Sequence, residues 1–387
     1  MKLLLYLIFL LIFIFVYKLI KTMNRSVVAT CICTLLIIQI ILTPKLCLDS
    51  AVIGVRLFVE KVFPSLFPFL VVSSIMMNYD GIEIYSKMLG KFLCKPIRLP
   101  IQCTFVIIVS ILCGYPLGAK YACDIYEQGL IDLKTCQRLI NIASNTSPLF
   151  AIGSVGTAML GSSYIGYILL ISNYLSCFIM GILLPGKSIS EKEVHNIIKD
   201  NNKNIGNIVK HSVENSITTC LSIGGFVILF SVITNMIKSN ILFDIAVRNI
   251  NIITNINKEL ISGFLLGLIE MTNGCYILSI ASIDMYIKVI AISFLLAFSG
   301  LSIISQVHSF TYKYNLSMKK YIFRKLIQGC IGSAISIVIY KFPLFNFSVQ
   351  TFNSQHFNSL NIYIIFGLIL LMMPYILNRF RRLFHAS

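Results

Sequence analysis

IQCTFVIIVSILCGYPLGAKYACDIY, residues 101–126, is the stretch on which the fold turns. It is long and apolar enough to cross a hydrocarbon core, which takes roughly 20 helical residues. Near its middle, Gly114-Tyr115-Pro116 interrupts the helix. Broken backbone is tolerated at membrane depth only where protein or a wet cavity surrounds it. The stretch therefore reads as two half-length helices that meet at a buried tip. A second stretch, 259–280, is interrupted in the same way at Thr272-Asn273-Gly274, and the tips lie 272 − 116 = 156 positions apart.

The rest of the chain agrees with a membrane setting. Hydrophobic residues make up 57% of it and charged residues 12%, with a mean hydropathy of +0.85, more apolar side chain than a water-soluble fold hides. The expected fold class is all-α, a polytopic membrane protein with inverted repeats. Nine spans are predicted, at 3–20, 26–43, 62–77, 139–160, 162–184, 216–237, 286–305, 323–340 and 361–377, and the stretches 101–126 and 259–280 are predicted re-entrant hairpins. The first span resembles a signal-peptide core, but Lys18, Lys21 and Arg25 follow it and no small-residue cleavage site does, so it reads as retained. The twelve cysteines lie mostly in apolar runs and are expected to be buried thiols rather than a disulfide framework.

Orientation follows from the basic residues. Clusters at Lys18/Lys21/Arg25, Lys87/Lys91/Lys95/Arg98, Lys187/Lys192/Lys199/Lys203/Lys210, Lys313/Lys319/Lys320/Arg324/Lys325 and Arg379/Arg381/Arg382 are placed in the cytoplasm. The loop 342–360 carries no Lys or Arg and is placed outside. Lys45, Arg56, Lys61, Lys238, Arg248 and Lys258 then fall on the outer face, against the usual bias. Loop charges of this kind account for the net charge of +17 without nucleic acid, since no basic stripe with interleaved aromatics is present.

Other features recur at the spacing of the two tips. Pro68 and Gly224 are 224 − 68 = 156 apart, and Ser144 and Ser299 are 299 − 144 = 155 apart. The charge assignment makes the two units antiparallel. The expected organisation is N-terminal helices over 1–47, a first gate-like repeat over 48–185, a cytoplasmic linker over 186–215, a second inverted gate-like repeat over 216–341, and a C-terminal helix with a basic tail over 342–387. Inverted repeats with paired broken helices mark many secondary transporters, whose site lies near the midplane where the repeats meet.

The candidate substrate-binding residues sit at these breaks. Gly114, Tyr115 and Pro116 form the first tip, and the free N–H groups of the helix starting at Pro116 would attract an anion. One turn on, Lys120 shares a helical face with Asp124 and Glu127; a Lys120–Asp124 pair near the surface is the plain alternative. Ser144, Asn145, Thr146 and Ser147 put four polar side chains before Pro148 inside an apolar span, with Ser147 placed to cap a new helix. Ser299 and Gly300 are their repeat mates, although small hydroxyl residues also serve ordinary helix packing. Glu270, Thr272 and Asn273 give the second tip a carboxylate and two capping residues, and Glu270 is a candidate proton or cation site or one half of a salt bridge.

Other chemistry is poorly served. Residues 181–188 fit the G-x-x-x-x-G-K-[ST] phosphate-loop pattern but end a span instead of linking a strand to a helix. The five histidines show no metal spacing, and no Ser-Lys or Ser-His constellation falls at one depth, so neither an enzyme nor a metal site or cofactor is expected.

Phe63-Pro64-Ser65-Leu66-Phe67-Pro68-Phe69, Gly114-Tyr115-Pro116-Leu117-Gly118-Ala119-Lys120, Ser144-Asn145-Thr146-Ser147-Pro148-Leu149-Phe150 and Gly267-Leu268-Ile269-Glu270-Met271-Thr272-Asn273-Gly274 together resemble the YlbJ family of sporulation integral membrane proteins. That family is related to the nucleoside-recognition or gate domain of concentrative nucleoside transporters. The resemblance covers roughly residues 62–340. It implies residence in the outer membrane around the forespore and movement of dipicolinic acid from the mother cell toward the spore. The expected partners are thus a small anionic solute, the lipid bilayer and a coupling ion, proton or sodium. The competing readings are a nucleoside transporter and a non-transporting scaffold for spore assembly.

Overall fold

The computed structural model describes residues 25–79, 81–184, 186 and 204–342. The expected spans at 3–20 and 361–377, most of the cytoplasmic linker and the C-terminal unit beyond 342 lie outside these residues. All regular structure among the described residues is helical. Rows of large apolar side chains, among them Leu35 and Ile41, Leu221 and Leu229, and Phe323 and Val338, face outward from the bundle. Such a surface is stable against lipid and not against water. The protein is a polytopic helical membrane protein.

The chain opens with α1 (Arg25–Leu42) and α2 (Pro44–Leu57), which meet at Thr43 and are bent by 103°. Pro44 suits the first turn of a new helix and cannot extend the old one. A π-helical turn, Phe58–Val62, leads into α3 (Phe63–Asn78), and α4 (Gly81–Cys94) follows. In α4 the buried residues Ile82, Ser86, Gly90 and Cys94 recur every fourth position. Glu83 and Lys87 form an exposed ion pair of 2.6 Å on another face.

Next come the two arms of the first hairpin, α5 (Thr104–Cys113) and α6 (Leu117–Glu127). The arms are antiparallel: the Phe105 and Tyr121 rings, both fully buried, pack edge to face with centroids 5.8 Å apart. Then α7 (Leu133–Ile142) is capped by Asp132, α8 (Leu149–Met159) has wide π-helical turns, and α9 (Ser163–Leu183) is capped by Ser162.

The second half begins with the long α10 (Ile205–Lys238), which packs along α2 and α3, and continues with α11 (Ile241–Thr254). The second hairpin is α12 (Lys258–Ile269) and α13 (Met271–Ile280). Its arms cross at Gly267 and Gly274, where a Cβ on Gly274 would lie 2.2 Å from the Gly267 Cα. Only residues without a side chain allow that approach. The described chain ends with α14 (Met285–Phe298), α15 (Gly300–Thr311) and α16 (Met318–Lys341).

Seven of the nine expected spans fall among the described residues, and there fewer stretches are continuous crossings. Four described stretches are long and apolar enough to cross a membrane, Ser163–Leu183, Ile205–Lys238, Met285–Thr311 and Met318–Lys341, or five if the bent pair at Thr43 is one span. The expected span at 139–160 is divided by non-helical residues 143–147, and the 62–77 region holds a helix of 16 residues. Apolar composition gives the depth of a segment but not whether its backbone is continuous. Helices α2, α4 and α11 fall outside the predicted spans, because their charged residues dilute the apolar signal that marks a span.

Two apolar cores hold the bundle. One gathers Phe105, Leu117, Tyr121, Ile125 and Leu139 around α5, α6 and α7. The other gathers Val155, Leu169, Cys275, Leu278, Ile292 and Leu295 where α8 and α9 meet α13 and α14. All twelve cysteines are free thiols; nine are buried, and Cys31, Cys33 and Cys330 are exposed.

The first hairpin seats on α7 through Gly118, where a Cβ would fall 1.8 Å from the Ala143 carbonyl oxygen. Gly118→Ala gains about 1 kcal/mol of helix propensity, yet overpacking against backbone costs about 1–3 kcal/mol or more. A lower melting temperature in detergent is the expected outcome; an unchanged or higher one contradicts the seating.

Candidate functional site

The first tip docks on the break that follows α7. Gly114 has φ +81°, and the Tyr115 N–H donates to the Asn145 carbonyl at 2.7 Å. The break is tied to its surroundings by polar contacts. The Thr146 N–H donates to Asn173 Oδ1 on α9 at 3.1 Å, and Asn145 Nδ2 donates to Ser110 Oγ on α5 at 3.2 Å. Ser147 Oγ accepts from the Phe150 N–H at 3.3 Å, the capping role its position before Pro148 suggested. Ser144, Asn145 and Thr146 are all at most 4% exposed. Asn145 Oδ1 and Asn173 Nδ2 are buried with no hydrogen-bond partner among the described residues.

The second tip has a different lock. Glu270 is the N-cap of α13, and its carboxylate accepts from the Thr272 N–H at 3.0 Å and the Asn273 N–H at 2.7 Å. The Thr272 and Asn273 backbones are therefore the capped groups, and Glu270 is the cap. Ser299 and Gly300 both have positive φ, +73° and +75°, and form the break between α14 and α15. A Cβ on Gly300 would lie 3.1 Å from the Gly267 carbonyl and 3.3 Å from the Met271 nitrogen, so this break rests against the second tip.

The two tips touch. The Tyr115 hydroxyl donates to Met271 Sδ at 2.8 Å. Gly114, Tyr115, Pro116, Ser144 to Ser147, Glu270, Thr272, Asn273, Ser299 and Gly300 thus belong to one interior neighbourhood where eight helix ends gather.

Lys120 stands apart from it. Its ammonium pairs with Asp124 at 2.8 Å, as the plainer reading had it, and lies 4.9 Å above the Tyr121 ring. The pair faces a cleft of about 520 Å³ between α6 and the end of α15. Ser74, Asn78, Glu127, Asn215, Ser309 and Lys313 complete its polar wall, and the Tyr314 hydroxyl donates to Glu127 across it.

Two buried basic side chains were not singled out by the sequence pattern. Lys325, assigned above to a cytoplasmic basic cluster, is fully buried: its ammonium donates to the Ser144 carbonyl at 3.1 Å and to Gln328 Oε1 at 3.2 Å. Beside it the Tyr321 hydroxyl bonds Ser144 Oγ at 2.9 Å, and Gln328 Nε2 donates to Cys177 Sγ at 2.7 Å. Helical periodicity held the missing signal. Tyr321, Lys325, Gln328, Gly329, Gly332 and Ser336 make one buried face of α16, whereas Lys319 and Lys320 point away from it and are exposed.

Arg138, also buried, spreads its guanidinium over four carbonyls, those of Leu184 at 3.1 Å, Arg98 at 2.6 Å, Gly181 at 2.6 Å and Ile97. It ties the C-terminal end of α9 to the chain beyond α4, where a cation also meets the negative end of a helix dipole.

The chain is 25% identical over 330 residues to the "Sporulation integral membrane protein YlbJ" of Bacillus subtilis (strain 168), an alignment covering 78% of this chain and 79% of that protein. The resemblance to the YlbJ family holds. No protein-family model matches the chain, and no solved structure matches it. The YlbJ similarity spans 78% of this chain and 79% of that protein, which is more than a shared apolar helix.

Arg138→Gln removes at least one charged hydrogen bond, each worth about 1.5–3 kcal/mol. Thermal unfolding in detergent should show a marked loss of stability, with only partial recovery in Arg138→Lys, since an ammonium cannot span four acceptors as a guanidinium fork does. Equal stability of wild type and Arg138→Gln would remove the clamp from the account.

Proposed function

We propose that this protein is a membrane carrier for a small organic anion, dipicolinic acid by its resemblance to the YlbJ family, acting in sporulation at the membrane around the forespore. The observation that carries the reading is the convergence of four helix interruptions, at Gly114–Pro116, Ser144–Ser147, Glu270 and Ser299–Gly300, on the Tyr115–Met271 contact. Irregular backbone held at depth by other protein is where transporters bind solutes.

The order of elements supports an internal duplication. Helix α4, the hairpin α5–α6, the broken pair α7–α8 and α9 are followed in the same order by α11, α12–α13, α14–α15 and α16. Starts of corresponding helices are separated by between 300 − 149 = 151 and 241 − 81 = 160 residues. Packing is reciprocal: α6 of the first unit lies on α15 of the second, and α13 of the second lies on α8 of the first. A two-fold axis between the units would produce that exchange of roles, and the basic loops favour an axis in the membrane plane.

Four helices, α6, α8, α13 and α15, begin at the convergence, and helix N-termini attract anions. Glu270 already fills that role for α13, Ser147 caps α8, and the Leu117 and Ala119 N–H groups at the start of α6 donate to the Gly114 and Pro116 carbonyls, which leaves α15 for a solute carboxylate. The cleft beside Lys120 runs along α6 and the end of α15 on the face given to the cytoplasm, and α13 packs on α8 in the other half of the exchange. Alternating access would exchange these two packings, with Lys120 and Asp124 on the solute's route. The reading calls for no chemical transformation by the protein.

Asn145→Ala and Lys120→Ala, expressed in a sporulating strain lacking its own relative, should lower spore dipicolinate several-fold at unchanged protein level. Normal dipicolinate content in both would overturn the carrier reading and favour a scaffold. Competition by excess nucleoside against labelled dipicolinate would move the substrate class to nucleosides.

A further inference from the structure

The carrier reading leaves unassigned a buried lysine whose partners are too few for an ammonium. An ammonium has three N–H donors. The described residues offer Lys325 two acceptors, the Ser144 carbonyl and Gln328 Oε1, and no carboxylate is among them. A neutral amine, with two N–H groups, would have both donors matched by that pair. The titratable groups that face it are a phenol, Tyr321 on its own helix, and a thiol, Cys177 on α9. On α14, which also packs on α16, the titratable residues sit at the far end: Tyr286 lies against Tyr340, and Lys288 donates to the Ser279 carbonyl. On α7, the third helix packed on α16, Lys134 is exposed, Cys136 donates to the Ala122 carbonyl and Arg138 to its four carbonyls, so none of these elements brings a carboxylate to the Lys325 nitrogen.

The position of Lys325 gives the mismatch a use. The Ser144 carbonyl is at the C-terminal side of a broken helix, where unwound carbonyls in transporters hold a coupling cation. Here the lysine nitrogen occupies that position on a tether. One residue on, the Asn145 Oδ1 atom is buried without a partner, as is Nδ2 of Asn173, which holds Thr146. These open polar groups belong to the same break that Lys325 contacts through the Ser144 carbonyl.

We propose that Lys325 is the coupling site of the carrier, taking up one proton as a solute carboxylate arrives, so that the anion and a proton are bound together and no sodium ion is needed. The inference rests on the carrier reading and adds the identity of the coupling ion. The balance is simple: a proton from water adds to the lysine lone pair, and the new N–H is directed at the incoming carboxylate oxygen. Release reverses both steps. A proton enters with the anion, so affinity falls as pH rises.

Titration of dipicolinate into the purified full-length protein by calorimetry, in buffers of different ionisation enthalpy and without sodium, reads the protons taken up per solute bound. Wild-type protein should take up about one. Uptake should vanish in Lys325→Met, a neutral chain of similar volume, and in Lys325→Arg, whose guanidinium stays charged. The Met variant should also bind roughly ten-fold more weakly or worse, having lost a buried charge partner. Wild-type binding without proton uptake, which needs no variant to fold, or a strict sodium requirement, overturns the role of Lys325 and leaves the carrier standing. A wild-type protein that melts cooperatively but binds no dipicolinate overturns both.

Discussion

Backbone hydrogen bonding in a medium without water is the constraint on which this architecture depends. Each N–H or C=O left unpaired in hydrocarbon costs several kcal/mol. A chain with four interruptions at depth must therefore bring them to one another or to other protein. The Tyr115 N–H on the Asn145 carbonyl and Glu270 on two N–H groups of its own helix do this directly. The glycines at the crossings, Gly118 on Ala143 and Gly267 on Gly274, bring the backbones close enough for such contacts. Removing one interruption would leave another without its partner, so the breaks stand or fall together.

The same constraint explains how this protein buries basic side chains. Arg138 and Lys325 lie inside the bundle and are held by carbonyl and amide oxygens rather than by carboxylates. Helix C-terminal ends supply oxygens that have no intrahelical partner, and a basic side chain satisfies them. The two differ in how completely they are matched. Arg138 meets four carbonyls and acts as a clamp, whereas Lys325 meets two acceptors at the break itself. A group that is incompletely matched in one state is the kind a solute can complete in another.

Much of this was legible in the residues because membrane depth is written in composition. The apolar runs, the interruptions at Gly114–Pro116 and Ser144–Ser147, and the capping position of Ser147 before Pro148 follow from helix chemistry alone. Less was legible where polarity and location part company. Lys325 shares a basic run with Lys319 and Lys320, yet a turn of 100° per residue puts it on the buried face and them on the outside. Helix α4 hid for the opposite reason, since its exposed Glu83 and Lys87 mask a buried stripe on the other side.

The sequence by itself determined the solvent, the helical class and the places where helices had to stop, because these depend on side-chain polarity and local backbone chemistry. The number of continuous crossings, the contact of Tyr115 with Met271 and the partners of Lys325 and Arg138 were decided by tertiary structure. Those contacts join residues separated by 271 − 115 = 156 and 325 − 144 = 181 positions. No local rule relates groups so far apart in the chain; only the packing of the helices on one another brings them within hydrogen-bonding distance.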